Sequence, residues 1–220
     1  MQNTQSYEQR SALVHELVAN TLEPNNHELL RHLGQVLGIK AQDRLLLIIG
    51  SNGDEARQML AEAFDCEVDV FVGELGTLPY EAGQFDNAIV AVPLTKDLHA
   101  VARELSRVLK PASSLGMIIF SVYRDQMPED AESDQVMPLI DTARPAAVYR
   151  AVLAECGFTA FVTKDRRRDL RRAALESYRE HMLHGTEEVA TQSPALANQA
   201  LGLIASGGVT VTLITAEKGL

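Results

Sequence analysis

The stretch Arg44-Leu-Leu-Leu-Ile-Ile-Gly-Ser-Asn-Gly-Asp-Glu-Ala56 decides the fold. Five consecutive large aliphatic residues with no polar alternation predict a strand buried on both faces, the signature of a parallel sheet. The Gly-Ser-Asn-Gly turn that follows, with Asp54 and Glu55 opening a helical pattern, predicts a sharp strand-to-helix reversal. In α/β domains such a reversal is where strand carboxyl ends and a helix amino end converge to hold a ligand.

The pattern alternates on both sides of this stretch. Helices are expected over Ser6–Thr21 and from an Asn26 cap to about Leu37, where Gly38 ends the run. Asp54–Phe64 follows as a helix with Ala56, Met59, Leu60 and Ala63 as its apolar stripe. Strands are expected at Glu67–Val72 and Asp86–Val92. A Thr95-capped helix should run over Lys96–Leu109 and stop at Lys110-Pro111, before a buried strand at Leu115–Val122. Arg124–Asp141 is acidic and contains proline, which predicts a surface loop or lid. Then come a helix at Arg144–Cys156 closed by Gly157, a strand at Thr159–Thr163, helices at Asp165–His184 and Pro194–Ala205, and a last strand at Val209–Ala216. This organisation predicts one α/β domain over residues 1–220, with N-terminal helices in 1–38, a helical insertion in 165–205 and a mostly parallel sheet covered on both faces.

Composition narrows the function. The chain has 220 residues, a formal net charge of -10, two cysteines and no tryptophan. A strongly negative chain is a poor general ligand for nucleic acid. Its longest apolar run is far too short to span a bilayer. Cys66 and Cys156 lack metal spacing and read as reduced thiols, so a cytoplasmic protein without nucleic-acid or membrane partners is expected.

Four segments carry a family resemblance. Ile39-Lys-Ala-Gln-Asp-Arg-Leu-Leu-Leu47, Leu78-Pro-Tyr-Glu-Ala-Gly-Gln-Phe-Asp-Asn-Ala-Ile-Val90, Ala102-Arg-Glu-Leu-Ser-Arg-Val-Leu-Lys-Pro111 and Leu153-Ala-Glu-Cys-Gly-Phe158 resemble, in order, stretches of the class I S-adenosylmethionine-dependent methyltransferases of the small-molecule type. The resemblance implies a Rossmann-like methyltransferase fold. It also implies S-adenosylmethionine as cofactor and a small-molecule methyl acceptor. Gly50, Ser51, Asn52, Gly53, Glu74 and Pro93 fall at the cofactor-binding positions. Tyr80, His99 and Tyr123 are candidates to line the substrate mouth, with a helix-surface position the favoured reading of His99 and packing the favoured reading of Tyr123. No catalytic residue and no metal ligand is implied.

The chain departs from the family in two places. The family's D-x-G-x-G-x-G loop, laid onto this sequence, puts Ile48 at the acidic position, Gly50 at the first glycine, Asn52 at the second and Asp54 at the third. Asn52 tolerates a left-handed backbone and Asp54 is a good helix cap, so the turn reads either as a working loop or as a capped turn with no cofactor. The spacing to Phe85-Asp86 also leaves room for only one strand where the family has two. About 20–25 residues, one strand-helix unit, are missing. Glu74 is then the one well-placed acid, and it reads either as a cofactor contact at one of the two acidic positions or as a solvated loop residue.

The alternative is a non-catalytic methyltransferase-fold protein that acts as an interaction subunit or binds another ligand. Asp165–Met182 gathers six arginines beside an apolar stripe of Leu170, Ala174, Tyr178 and Met182. It reads either as an amphipathic helix with a solvated basic face or as a site for an anion or acidic partner. A homodimer through 165–205 is the corresponding assembly.

Overall fold

The structure, a computed structural model, describes residues 27–50, 53–73, 75–92, 94, 97–123, 125, 143–169, 171–172, 206 and 208–220. The expected helices at Ser6–Thr21 and Pro194–Ala205, the Asn26 and Thr95 caps and nearly all of the acidic loop lie outside the described residues. Among the described residues ten elements follow one another: α1 (His27–Leu37), β1 (Arg44–Ile49), α2 (Gly53–Phe64), β2 (Glu67–Phe71), β3 (Phe85–Ala91), α3 (Leu98–Val108), β4 (Leu109–Val122), α4 (Ala146–Glu155), β5 (Phe158–Asp165) and β6 (Val209–Lys218). The described residues divide into two compact units. One is drawn from Phe120–Arg144 and Asp165–Val211, the other from Leu22–Ile119, Pro145–Lys164 and Thr212–Leu220.

The strands form one six-stranded sheet in the order β2-β1-β3-β4-β6-β5. β1 pairs in parallel with β2 on one side and β3 on the other, and β3 pairs in parallel with β4. β6 runs against β5, because Gly219 N–H donates to Gly157 O (2.9 Å) while the Thr159 hydroxyl reaches Glu217 O (3.4 Å). Among the described residues, only β2 stands between β1 and β3 in sequence, in agreement with the shortened spacing. Leu45 through Ile49 are each no more than 1% exposed, as a strand sandwiched between two helical layers requires.

Period-two alternation splits β1 between the layers. Leu46 and Ile48 join the core built with Val101, Leu105, Tyr149 and Leu153 of α3 and α4. On the other face the start of α2 seats on Ile49 and Val70. A Cβ at Gly53 would stand 2.5 Å from Val70 Cγ1, so only glycine lets the helix approach this closely. Gly38 stops α1 as expected, at φ 68°.

Three boundaries differ from expectation. Asp97 is the cap of α3, its Oδ1 accepting from His99 N (3.0 Å) and Ala100 N (3.2 Å). Capping residues stand close together here, and the helix takes the one adjacent to its first turn. β4 begins at Leu109, immediately after α3, well before the expected Leu115. Phe85 pairs with Leu109, the register breaks around Pro111, which has no N–H to give, and pairing resumes at Ser114 opposite Asn87. Finally, Asp165 ends β5 rather than beginning a helix. Residues 167–169 and 171–172 are helical, and 173–184 lie outside the described residues.

Candidate functional site

β1 is flanked on both sides by parallel strands, and its carboxyl end leads through Gly50 toward the first turn of α2. Gly50 is exposed, and a Cβ built on it meets no atom of the described residues within 4 Å. Gly53 is buried against the sheet and serves packing. Of the remaining predicted cofactor contacts, Ser51, Asn52, Glu74 and Pro93 lie outside the described residues. Asp54 is exposed in the first turn of α2, where a negative charge suits the helix end.

Ile48, at the family's acidic position, is 1% exposed within the apolar core. Its side chain offers no hydrogen bond to a loop or an amino group. Among the described residues, no cluster of three His, Cys, Asp or Glu is placed to hold a metal.

Each of the three residues considered for the substrate mouth has a local partner. Tyr80 packs edge-on against Phe85 (centroids 4.9 Å) and Phe71 (6.3 Å), and burial pushes its phenol up from the ordinary tyrosine value. His99 is exposed and meets Glu155 Oε2 at 3.0 Å, linking α3 to α4. Tyr123 is half-buried, and its N–H donates to Gly208 O (2.8 Å).

The sequence did not reveal how the chain closes the gap left by the missing unit. Residues 75–84 lie over the sheet with Leu75 and Leu78 buried, and α3 straps them down. Arg107 Nη1 donates to Tyr80 O (2.7 Å) and its Nη2 to Leu78 O (3.0 Å). Glu104 Oε2 accepts the Leu78 N–H (2.8 Å) and, with Oε1, holds the same guanidinium. The Arg107 guanidinium holds the Glu104 carboxyl below its ordinary value despite partial burial. The opposite charges at i, i+3 on α3 were a sequence signal for the pair, though not for its carbonyl partners.

A second polar set lies at the opposite, amino ends of the strands. Asp86 accepts from Arg44 N (3.0 Å) and pairs with Lys110 Nζ (2.7 Å). Burial pushes its carboxyl up, but these two donors outweigh burial and hold it below the ordinary range. Asp43 Oδ2 satisfies the buried Asn87 amide (2.9 Å), and Arg44 Nε binds Asp69 Oδ2 (2.7 Å). These contacts fix the register of β1, β2 and β3 and stand away from Gly50.

With this geometry in view, the class of fold is defined by solved structures. A protein from Galdieria sulphuraria assigned as a sarcosine dimethylglycine methyltransferase superposes with a TM-score of 0.74 at 16% identity, covering 89% of this chain and 86% of that one. The phosphoethanolamine N-methyltransferase 2 of Haemonchus contortus, solved with phosphomonomethylethanolamine and S-adenosylhomocysteine, gives 0.71 at 16% identity. This chain is covered to 88% there and spans only 53% of that protein's length. The [4+2]-cyclase SpnF gives 0.64 at 18% identity over 88% of this chain and 82% of its own. No family model and no curated protein sequence matches the chain. The protein therefore has the Rossmann-like class I methyltransferase fold, in a divergent form. That a cyclase shares the fold shows why the fold alone does not assign the reaction.

Proposed function

We propose that the chain is a divergent S-adenosylmethionine-dependent methyltransferase acting on a small molecule. Gly50, Ser51, Asn52, Gly53, Glu74 and Pro93 are its cofactor contacts. The observation that carries this reading is the exposed Gly50, clear of every other described residue, at the carboxyl end of a strand paired in parallel on both sides and just before the first turn of α2. Neighbours of the same fold are solved with S-adenosylmethionine or S-adenosylhomocysteine. The fit is partial: Gly50 leaves room, whereas Ile48 supplies no carboxylate and Gly53 is occupied with packing. When bound, the sulfonium cofactor supplies an electrophilic methyl group. The chain's part is then to hold an acceptor in line and exclude water, which is the larger share of such catalysis. A cytoplasmic location is part of this proposal, resting on two cysteines without disulfide or metal spacing in the sequence.

Calorimetric titration of the folded chain with S-adenosylhomocysteine tests the reading. Saturable heat, with a matching rise in melting temperature, supports it, because a ligand bound only by the folded state must stabilise that state. Absence of heat at millimolar ligand refutes it.

The burial of Ile48 favours a second reading, a non-catalytic protein of the same fold. In that case Asn52→Gly combined with Asp54→Gly restores the glycine pattern without creating cofactor affinity, because the lost strand-helix unit is what binding lacks.

A further inference from the structure

α1 and α2 lie side by side and meet at two places. Near the start of both helices His27 Nε2 stands 3.8 Å from Glu55 Oε1. Toward their far ends Gly34 admits the Phe64 ring so closely that a Cβ there would stand 2.5 Å from it. The helices therefore run in the same direction. Between the two contacts a groove of about 540 Å³ opens. Arg31 lines it from α1, and Gln58, Met59, Glu62 and Ala63 line it from α2, with His27 and Glu55 at one end. That volume lies within the range of small-molecule sites.

The charges across this groove do not meet. Arg31 stands four residues, about 6 Å, beyond His27 along α1, which places it between the two helix contacts. Among the described residues no hydrogen bond or ion pair engages its guanidinium, although Glu28 stands three residues before it on α1 and Glu62 lines the facing wall. Glu62 Oε1 accepts from the Gln58 amide (2.8 Å), which steadies the carboxylate on that wall and leaves its second oxygen without a donor among the described residues. His27 Nε2 is buried and makes no hydrogen bond, since 3.8 Å is too long for one, so the Glu55 carboxylate is not spent on it. A guanidinium and a carboxylate thus stand apart, with space between them and the apolar side chains of Met59 and Ala63 alongside.

We infer that this groove binds a small zwitterion of the α-amino acid type. Its carboxylate takes the fork of Arg31, a planar pairing that a guanidinium makes with two parallel hydrogen bonds. Its ammonium takes the open oxygen of Glu62, and an aliphatic side chain lies on Met59 and Ala63. A simple anion would answer Arg31 but stand beside the carboxylates of Glu55 and Glu62. A simple amine would answer Glu62 but add a like charge beside Arg31. The inference is independent of methyl transfer, since binding is measured with no sulfonium compound present.

The test is calorimetric titration of the full chain with L-leucine at constant ionic strength, with acetate and methylamine as the separate halves of its charge. Saturable binding of L-leucine is expected in the native chain and in Arg57→Gln, an exposed arginine of α2 outside the groove. Arg31→Gln and Glu62→Gln should each bind at least about tenfold more weakly, as expected for losing a charge-assisted contact, with unchanged melting profiles. Acetate and methylamine should each bind at least about tenfold more weakly than L-leucine. No heat from the native chain at millimolar L-leucine, or equal binding by both variants, overturns the site. Methylamine binding as tightly as L-leucine, with Arg31→Gln without effect, overturns the zwitterion assignment.

Discussion

Arg107 and Glu104 form a two-oxygen ion pair on α3 (Nη2···Oε2 2.8 Å, Nε···Oε1 2.9 Å) whose outer edge is spent entirely on the backbone of residues 78–80. The pair thereby takes over the task of a missing strand-helix unit, holding a short segment flat over the apolar sheet. Arg107→Ala frees two carbonyl oxygens and leaves Glu104 without its partner. Unpaired groups of this kind cost about 1–3 kcal/mol. Urea denaturation should show that loss, with Arg107→Lys restoring part of it because one ammonium cannot span both carbonyls and the carboxylate. A variant as stable as the native chain would show that residues 75–84 are held by Leu75 and Leu78 alone.

The same pair sets an acid limit on stability. Glu104 titrates below its ordinary value of 4.5 in the folded chain, chiefly through its hydrogen bond to Arg107. Its contribution is therefore complete above that value. As pH falls further the unfolded chain takes up the proton first, and the contribution is lost through the lowered folded value. Asp86 adds to the trend in the same direction. Unfolding free energy measured from pH 6 down to pH 3 should fall, and Glu104→Gln should fall less steeply while starting lower. Parallel profiles would remove Glu104 as a cause.

The two described glycines of the cofactor loop separate packing from binding. A Cβ at Gly53 stands 2.5 Å from Val70 Cγ1 and 3.3 Å from Ile49 Cγ2, so Gly53→Ala must push α2 off the sheet, at about 1–3 kcal/mol. Gly50→Ala, at an exposed position clear of the other described residues, should leave stability within about 0.5 kcal/mol. If the cofactor sits against Gly50, that silent substitution is the one that weakens S-adenosylhomocysteine binding. Unchanged affinity in a normally folded Gly50→Ala protein would place any ligand elsewhere.

The sequence disclosed the layers of this fold more readily than its fastenings. Leu45–Ile49 could be assigned because a two-sided burial leaves no polar residue to confuse the pattern, and Gly38 because only a left-handed residue ends α1 there. Asp97 was missed for Thr95 because two good capping types lie within one turn of the helix start. β4 was begun too late because Pro111 suggested a break, while the backbone enters the ladder at Leu109 before that proline interrupts it. The strap was hidden for a deeper reason. Arg107 binds carbonyl oxygens of Leu78 and Tyr80, and every residue has a carbonyl, so no side-chain pattern marks the partner. Ile48 was the most informative single position: its identity alone announced that the loop lacks its carboxylate.

That position also bounds how far binding can be re-engineered. Ile48 is 1% exposed and belongs to the core with Leu46, Val90 and Met117, so Ile48→Asp puts a carboxyl among aliphatic side chains. An unpaired buried polar group costs several kcal/mol, and a charged one more unless it takes up a proton. Ile48→Val, which keeps the shape, should cost only about 0.5–1.5 kcal/mol. The aspartate variant is therefore expected to melt far earlier than the valine variant and to gain no affinity for S-adenosylhomocysteine in calorimetry. If it folds normally and binds more tightly, the carboxylate has found a partner at the strand end. The pocket would then be intact but for one side chain, and the divergence of this chain would be a matter of a single substitution rather than of a rebuilt core.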